Sequence, residues 1–169
     1  MATTYEAIAT TTVGAGGAAN IEFTSIPATY TDLVVKFSLR TAAGNTWDEI
    51  QVTFNSNTSS YSERLLYGTG SSAGSTSGST RQFFIANGNG ATANTFGNGE
   101  IYIPNYAGSS NKSVSGDTVN ENNATTAYIY LNAMLWSNSA AITSIKLASS
   151  NSVNFNQYST ATLYGIKNS

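Results

Sequence analysis

The chain has 169 residues, a formal net charge of −2, and neither histidine nor cysteine. Charged residues make up only 9 % of it. Because ionisable and thiol side chains perform most acid–base, nucleophilic and metal chemistry, this composition argues against most enzyme activities. Hydrophobic residues make up 40 % and aromatic residues 11 %, which is enough for a core and excludes the composition of a disordered chain. We expect one domain over residues 1–169.

The seven lysine and arginine residues are scattered along the chain. A nucleic-acid partner requires a basic patch that neutralises phosphates, so we expect no nucleic-acid binding. The segment from Met1 to Glu6 lacks the basic and apolar regions of a Sec signal peptide. No apolar run approaches the ~18 residues of a membrane span. We therefore expect synthesis in a cytoplasm and no membrane partner.

Period-2 alternation of apolar and polar residues predicts about a dozen short strands separated by turns rich in Gly, Asn and Ser. This pattern predicts an all-β fold, an antiparallel β-sandwich of jelly-roll type, with almost no helix. In chain order the predicted strands are Tyr5–Val13, Asn20–Ser25, Asp32–Thr41, Glu49–Asn55, Tyr61–Tyr67, Arg81–Ala86, Gly99–Ile103, Lys112–Thr118, Tyr128–Trp136, Ile142–Ala148, Val153–Gln157 and Thr160–Lys167.

The strand Tyr128–Trp136 has two apolar faces, one aliphatic and one rich in aromatic residues. We expect it to lie centrally in a sheet, or to turn its aromatic face toward a neighbouring subunit. Two polar stretches predict long loops rich in Gly and Ser. Gly68–Thr80 is a low-complexity stretch that predicts a mobile loop, and Gly88–Gly99 predicts a second one.

Candidate catalytic groups are few. Serine is abundant, but there is no histidine to activate it, and no recognisable motif surrounds any lysine that could do so. Asp48 and Glu49 are adjacent, so they point to opposite faces of a strand. We interpret the acids as solvated charges of loops and sheet edges, and we predict no catalytic residue. A carboxylate pair for glycoside hydrolysis would have to come from Asp48, Glu49, Glu63, Glu100, Asp117 and Glu121.

Without histidine and cysteine, only an oxygen-ligand site for Ca²⁺ could form. Gly116–Asn123 carries oxygen ligands at short spacing, but it does not match an EF-hand loop. We predict no metal site and no cofactor-binding residue. Trp47, Trp136 and the tyrosines could stack on sugars, yet the same residues fill sandwich cores and oligomer interfaces, which composition favours.

Four segments resemble sequences found in small β-rich proteins of tailed bacteriophages, cyanophages included. Together they extend over about residues 21–166. Where many relatives have Gly-Asp after the second segment, this chain has Asn55-Ser56-Asn57, so no role of that acid carries over. The segments are Ile26–Val35 (IPATYTDLVV), Ile50–Asn55 (IQVTFN) with Tyr61-Ser62, Ile101–Tyr106 (IYIPNY) with Asn111-Lys112, and Ala161–Ile166 (ATLYGI).

The resemblance implies a virion structural protein and transfers no catalytic residue. Our leading hypothesis is a non-enzymatic capsid decoration (cement) protein on the capsid surface, which binds the major capsid protein as a homo-oligomer, a trimer being favoured over a dimer. The alternative is a tail or head fibre protein that binds a host-surface glycan through the Gly68–Thr80 loop and exposed tyrosines. A third hypothesis is a polysaccharide depolymerase that uses Asp48 or Glu49.

Overall fold

The computed structural model describes residues 4–82, 84–123 and 126–167. These residues contain no helix and twelve strands, and all pairings between the strands are antiparallel. The strands are β1 (Tyr5–Thr12), β2 (Asn20–Phe23), β3 (Asp32–Leu39), β4 (Trp47–Phe54), β5 (Tyr61–Gly68), β6 (Ala73–Gly78), β7 (Phe84–Asn87), β8 (Gly97–Ile103), β9 (Lys112–Val119), β10 (Ile129–Trp136), β11 (Ile145–Ser149) and β12 (Thr160–Ile166).

The strands form two sheets. The long sheet has eight strands in the order β1-β12-β3-β8-β9-β10-β5-β6, and the short sheet has four in the order β2-β11-β4-β7. The predicted all-β class and antiparallel β-sandwich are thus confirmed. The jelly-roll connectivity stays a prediction.

The main core lies where alternating apolar residues of the two sheets meet. In β3, Leu33, Val35 and Phe37 are buried in this core, whereas Lys36 points to solvent, as the period-2 pattern predicts. The short sheet contributes, among others, Val52 of β4. Burial of such side chains stabilises the fold by about 1.5–3 kcal/mol each, which is enough to hold a domain without disulfides.

A second apolar cluster packs on the other face of β7. Its centre is Ile85 of β7, Leu65 of β5 and Tyr130 of β10. The neighbouring β7 residues Phe84 and Ala86 belong to the main core instead. The β7 edge of the short sheet is therefore covered on both faces, which leaves its four residues buried.

Three sequence predictions differ from the structure. Ala73–Gly78, within the predicted loop Gly68–Thr80, is strand β6 and pairs with β5 along its whole length. Gly70 has a φ of 82° and makes the tight turn between them possible. The predicted strand Val153–Gln157 is a loop with a single bridge residue, Phe155. The predicted loop Gly88–Gly99 is shorter than expected, because β8 begins at Gly97.

Candidate docking surface

Strand β10 places its aromatic residues inside the sandwich and its aliphatic residues outside. Trp136 is fully buried, and its ring centroid lies 5.6 Å from that of Phe54 in the short sheet. Ile129 and Leu131 are each 58 % exposed. The strand is paired with β9 and β5, so its central position is confirmed. The alternative, an aromatic face in a subunit contact, is wrong because that face lies in the core.

The exposed side of β10 continues onto β5. Leu66 lies directly opposite Leu131 in the β5–β10 ladder and is also 58 % exposed. Single exposed apolar residues are ordinary, but adjoining ones mark an interaction surface. The structure therefore presents one candidate contact site on the long sheet. We call its outward-facing apolar residues the aliphatic surface: Leu66, Ile129, Leu131, Ala133 and Leu135.

The surroundings of the aliphatic surface are small and mostly uncharged. Ser75 and Ser77 of β6 and Ser115 of β9 line, with leucines of the aliphatic surface, an open groove of about 740 Å³. Arg64 of β5 and Asp117 of β9 are exposed on opposite flanks of β10. Neither of these two forms an ion pair within the described ranges. A partner could therefore cover this area while meeting only two charges.

The other half of the long sheet carries tyrosines on its outer face. Tyr102, Val34 and Tyr164 are neighbours in one row across β8, β3 and β12. Val34 is fully buried although it faces outward, because large side chains flank it. Tyr5 packs edge-on against Tyr164, with ring centroids 6.2 Å apart. We call Tyr5, Tyr102 and Tyr164 the tyrosine strip, which lies on the outer face of β1, β8 and β12.

The segments that resemble phage proteins are joined to one another by hydrogen bonds. The Asp32 carboxylate of the first segment accepts from the Tyr102 hydroxyl and from the backbone N–H of Asn105 in the third, at 2.8 Å each. The Tyr106 hydroxyl donates to the carbonyl of Pro27. These residues hold one end of the sandwich together. Their contacts are structural.

The second segment is held in the same way. The Asn55 amide oxygen accepts from the backbone N–H groups of Thr143 and Ser144 at 2.8 and 3.1 Å, and its NH₂ donates to the carbonyl of Ala141 at 2.7 Å. The hydroxyl of Tyr61 accepts from the Phe54 N–H at 2.9 Å. Asn55 therefore connects the turn after β4 to the segment before β11.

The candidate acids are dispersed over the fold. The buried carboxylate of Asp48 accepts hydrogen bonds from the Ser149 hydroxyl at 2.7 Å and the Asn151 amide at 2.6 Å. Glu100 pairs with Lys36 at 2.8 Å, on the exposed face of the long sheet. Asp117 is exposed beside the aliphatic surface. In the described part of the chain, no three acids are grouped so as to hold a metal ion.

The charges of Glu49 and Glu63 interact, so these two form an acidic pair. Glu63 is buried, and one of its carboxylate oxygens accepts from the Thr80 hydroxyl at 3.0 Å. Its other oxygen has no hydrogen-bond partner. Burial, and to a lesser degree the charge of Glu49, raises the pKa of Glu63 to about 7. Burial first and Asp48 second raise the pKa of Glu49. Glu49 lies in β4 and Glu63 in β5, and Glu63 is buried. This placement favours a structural role of the pair over a hydrolytic one.

In the candidate calcium segment Gly116–Asn123, the side-chain oxygen atoms lie in different environments. Its first residues belong to β9, where Asp117 is exposed. Asn120 is fully buried, and its side-chain oxygen accepts from the Tyr128 N–H. Glu121 accepts from the Asn123 N–H at 2.8 Å. The oxygen atoms serve the turn, and nothing in their arrangement points to a cation.

Neither tryptophan is an open platform for sugar stacking. Trp136 is buried, and Trp47 is half-buried against Tyr128, with ring centroids 5.3 Å apart. Among the residues that the structure describes, Tyr158 is the most exposed aromatic residue, at 68 %. It lies beside an open cleft of about 500 Å³ whose lining includes amide side chains at Asn94, Asn154, Asn156 and Gln157. Sequence reasoning missed this cleft because it predicted a strand over Val153–Gln157.

Arg40 organises the wall of that cleft. Its buried guanidinium donates to the carbonyl oxygens of Thr95 at 2.8 Å, Thr92 at 2.9 Å and Ala91 at 3.1 Å. All three belong to the loop between β7 and β8. This polar loop has no strand pairing, and the hydrogen bonds from one arginine hold it in place instead. They thereby fix the position of Asn94 in the cleft wall.

No protein-family model, curated protein or solved structure matches the chain. Over residues 4–82, 84–123 and 126–167, no helix is long and apolar enough to cross a membrane.

Proposed function

We propose that the protein is a non-enzymatic structural protein of a tailed-phage virion, a decoration or cement protein on the capsid surface that is assembled in the host cytoplasm. Its outer face on the long sheet binds neighbouring subunits, among them the major capsid protein and further copies of itself. The observation that carries this proposal is the aliphatic surface. Three large apolar side chains, Leu66, Ile129 and Leu131, project from a sheet face that no described part of the chain covers.

The mechanism is adhesion. Covering a large aliphatic side chain contributes about 1.5–3 kcal/mol, and each of these three still has more than half of its surface to cover. The edge strands β1 and β6 end the long sheet. Strand β6 carries no charge and no proline, so its free backbone groups can pair with a strand of a neighbour.

The placement of the charged groups supports a role without catalysis. Asp48 and Asp32 are saturated by hydrogen bonds from structural partners, and Glu63 is buried. The basic side chains of Arg40 and Lys112 are buried against backbone carbonyls. The charges that remain are few, so contacts with neighbours depend little on ionic strength.

The number of copies per particle tests this proposal. Quantitative mass spectrometry of purified virions should find hundreds of copies for a capsid decoration protein. Particles that lack the protein should release their genome at a lower temperature than complete particles. A few dozen copies or fewer, or equal heat resistance of the two kinds of particle, would contradict the cement role.

The cleft at Tyr158 favours a second candidate function, binding of a host-surface glycan by a tail or head fibre protein. An exposed aromatic ring next to several amide side chains is suited to stacking on a sugar and bonding its hydroxyls. The predicted carrier of this function, a mobile loop over Gly68–Thr80, is replaced by the β5–β6 hairpin.

A glycan array with matched tyrosine variants tests this second candidate. Tyr158→Ala should abolish binding. Tyr5→Ala removes an exposed tyrosine outside the cleft, on the long sheet, and should leave binding unchanged. Equal binding by both variants, or no binding by the unmodified protein, would rule out the cleft as a glycan site.

A further inference from the structure

The outward side of β10 is apolar along its whole length, from Ile129 through Leu131 and Ala133 to Leu135. The two strands beside it differ in charge. Strand β5 presents Arg64, which lies opposite Ala133, and β9 presents Asp117, which lies opposite Leu131. An apolar seam thus separates one positive from one negative side chain.

The geometry points to a second copy of this chain as the occupant of the aliphatic surface, in a face-to-face dimer whose twofold axis runs along β10. Such an axis stacks the β10 strands of the two copies on each other, about 10 Å apart, as in packed sheets. Leu131 and Ile129 then meet their counterparts in an apolar centre. This assignment goes beyond the proposed function, because it holds whether or not the protein belongs to a virion.

The two charges make the surface complementary to itself. The twofold axis places β5 of each copy over β9 of the other, so Arg64 of one copy faces the strand that carries Asp117 of the other. Those charged residues are offset by two positions along the strands, about 7 Å, which the long arginine side chain can bridge. Two equivalent ion pairs then flank the apolar centre.

A different protein explains this arrangement less well. One positive and one negative charge on either side of an apolar seam are complementary to a partner that carries the same pair in reverse order. A twofold contact supplies that order automatically, because it is isologous. Tyr5 and Tyr164, on β1 and β12, lie outside this contact and remain open for a partner such as a capsid subunit.

Sedimentation equilibrium of the purified full-length protein tests the dimer without any virus particle. The unmodified protein should dimerise. Arg64→Asp and Asp117→Arg should each weaken dimerisation at least tenfold, because each places like charges across the twofold axis. The double variant should restore dimerisation to near its original strength. The double exchange Glu6→Lys and Lys167→Glu, which reverses an exposed ion pair at the far edge of the sheet, should change nothing.

Other results would overturn the inference. A monomer at every concentration would exclude the dimer. Loss of dimerisation in both single variants without recovery in the double variant would exclude this twofold register. A dimer that persists in Leu131→Thr and in the charge variants would lie on another surface. Since all variants alter exposed side chains, circular dichroism should show intact folding. Failure of the capsid role in the copy-number experiment would leave these outcomes unaffected.

Discussion

The ring of Tyr30 lies directly over the backbone of Gly165. A Cβ atom on Gly165 would overlap the Cγ and Cδ1 atoms of that ring, so only glycine allows this approach. The Nζ of Lys167 lies 5.2 Å from the centre of the same ring. Tyr30 and Gly165 belong to two separate segments that resemble phage proteins. Their contact gives a physical reason for a glycine within the strand Thr160–Ile166.

Gly165→Ala should therefore destabilise the fold by about 1–3 kcal/mol, because Tyr30 has to move out of its packed position. Urea unfolding followed by tyrosine and tryptophan fluorescence would measure the loss. Gly44→Ala is the matched control, since nothing lies within 4 Å of a Cβ at that position. Equal stability of the two variants would contradict the packing role of Gly165.

Arg40→Met should release the loop between β7 and β8. The methionine keeps most of the apolar stem but removes the donors to Ala91, Thr92 and Thr95, and we expect a loss of about 3 kcal/mol. Hydrogen–deuterium exchange should rise in that loop first. Arg64→Met, a change of an exposed arginine, should show neither effect at protein concentrations at which the chain is monomeric. Unchanged exchange in the loop would show that Arg40 does not hold it.

Glu63 should make stability fall as the pH rises. Below about pH 4.5 both the folded and the unfolded chain hold the proton. Between that pH and about 7 only the folded chain does, so unfolding releases a proton and the free energy of unfolding decreases by about 3 kcal/mol. Above about pH 7 the loss is complete.

The variant Glu63→Gln isolates this effect, since glutamine resembles the protonated acid and does not titrate. The difference in unfolding free energy between variant and unmodified protein should grow in favour of the variant from pH 4.5 to 7 and then level off. Groups that do not interact with Glu63 contribute equally to both proteins. A difference that stays constant with pH would show that Glu63 titrates normally.

Leu66 and Leu65 are neighbours in β5 with opposite surroundings, and they give a matched pair of variants. Leu66→Thr should cost less than about 1 kcal/mol in the monomer, because the leucine is exposed and threonine suits a strand. Leu65→Thr should cost about 3 kcal/mol, because Leu65 is buried against Ile85 and Tyr130. Thermal unfolding at low protein concentration would compare them. Similar losses would contradict the assignment of the two faces.

The strands with alternating apolar residues could be predicted from the sequence, since burial of one face forces a period of two. Strand β6 could not, because Ala73–Gly78 has no large apolar residue and is held by backbone pairing to β5 alone. The dipeptide Gly70-Ser71 was the available signal for a tight hairpin. Phe155 gave a misleading strand signal. The φ angles of Ser152 and Tyr158 are positive, 57° and 71°, and they interrupt the extended conformation on either side of Phe155.

The site was harder to predict than the fold. Sequence alternation identified two apolar faces on β10 but not which one lies inside, because both are hydrophobic. The aromatic face is inside because Trp136 fits among Phe54 and Tyr61, with ring centroids 5.6 and 6.3 Å away. The cleft at Tyr158 depends on Arg40, whose carbonyl partners lie about fifty residues further along the chain. No local sequence pattern predicts a contact between residues so far apart in the chain.

Binding to virus particles that lack the protein tests adhesion through the outer face of the long sheet most directly. The folded double variant Leu66→Thr with Leu131→Thr and the unmodified protein should be mixed with such particles, and the bound amount measured after sedimentation. We predict saturable binding of the unmodified protein and at least tenfold weaker binding of the variant, because a variant that cannot dimerise attaches through one copy instead of two. Equal binding of the two, or no binding of either, would contradict the account.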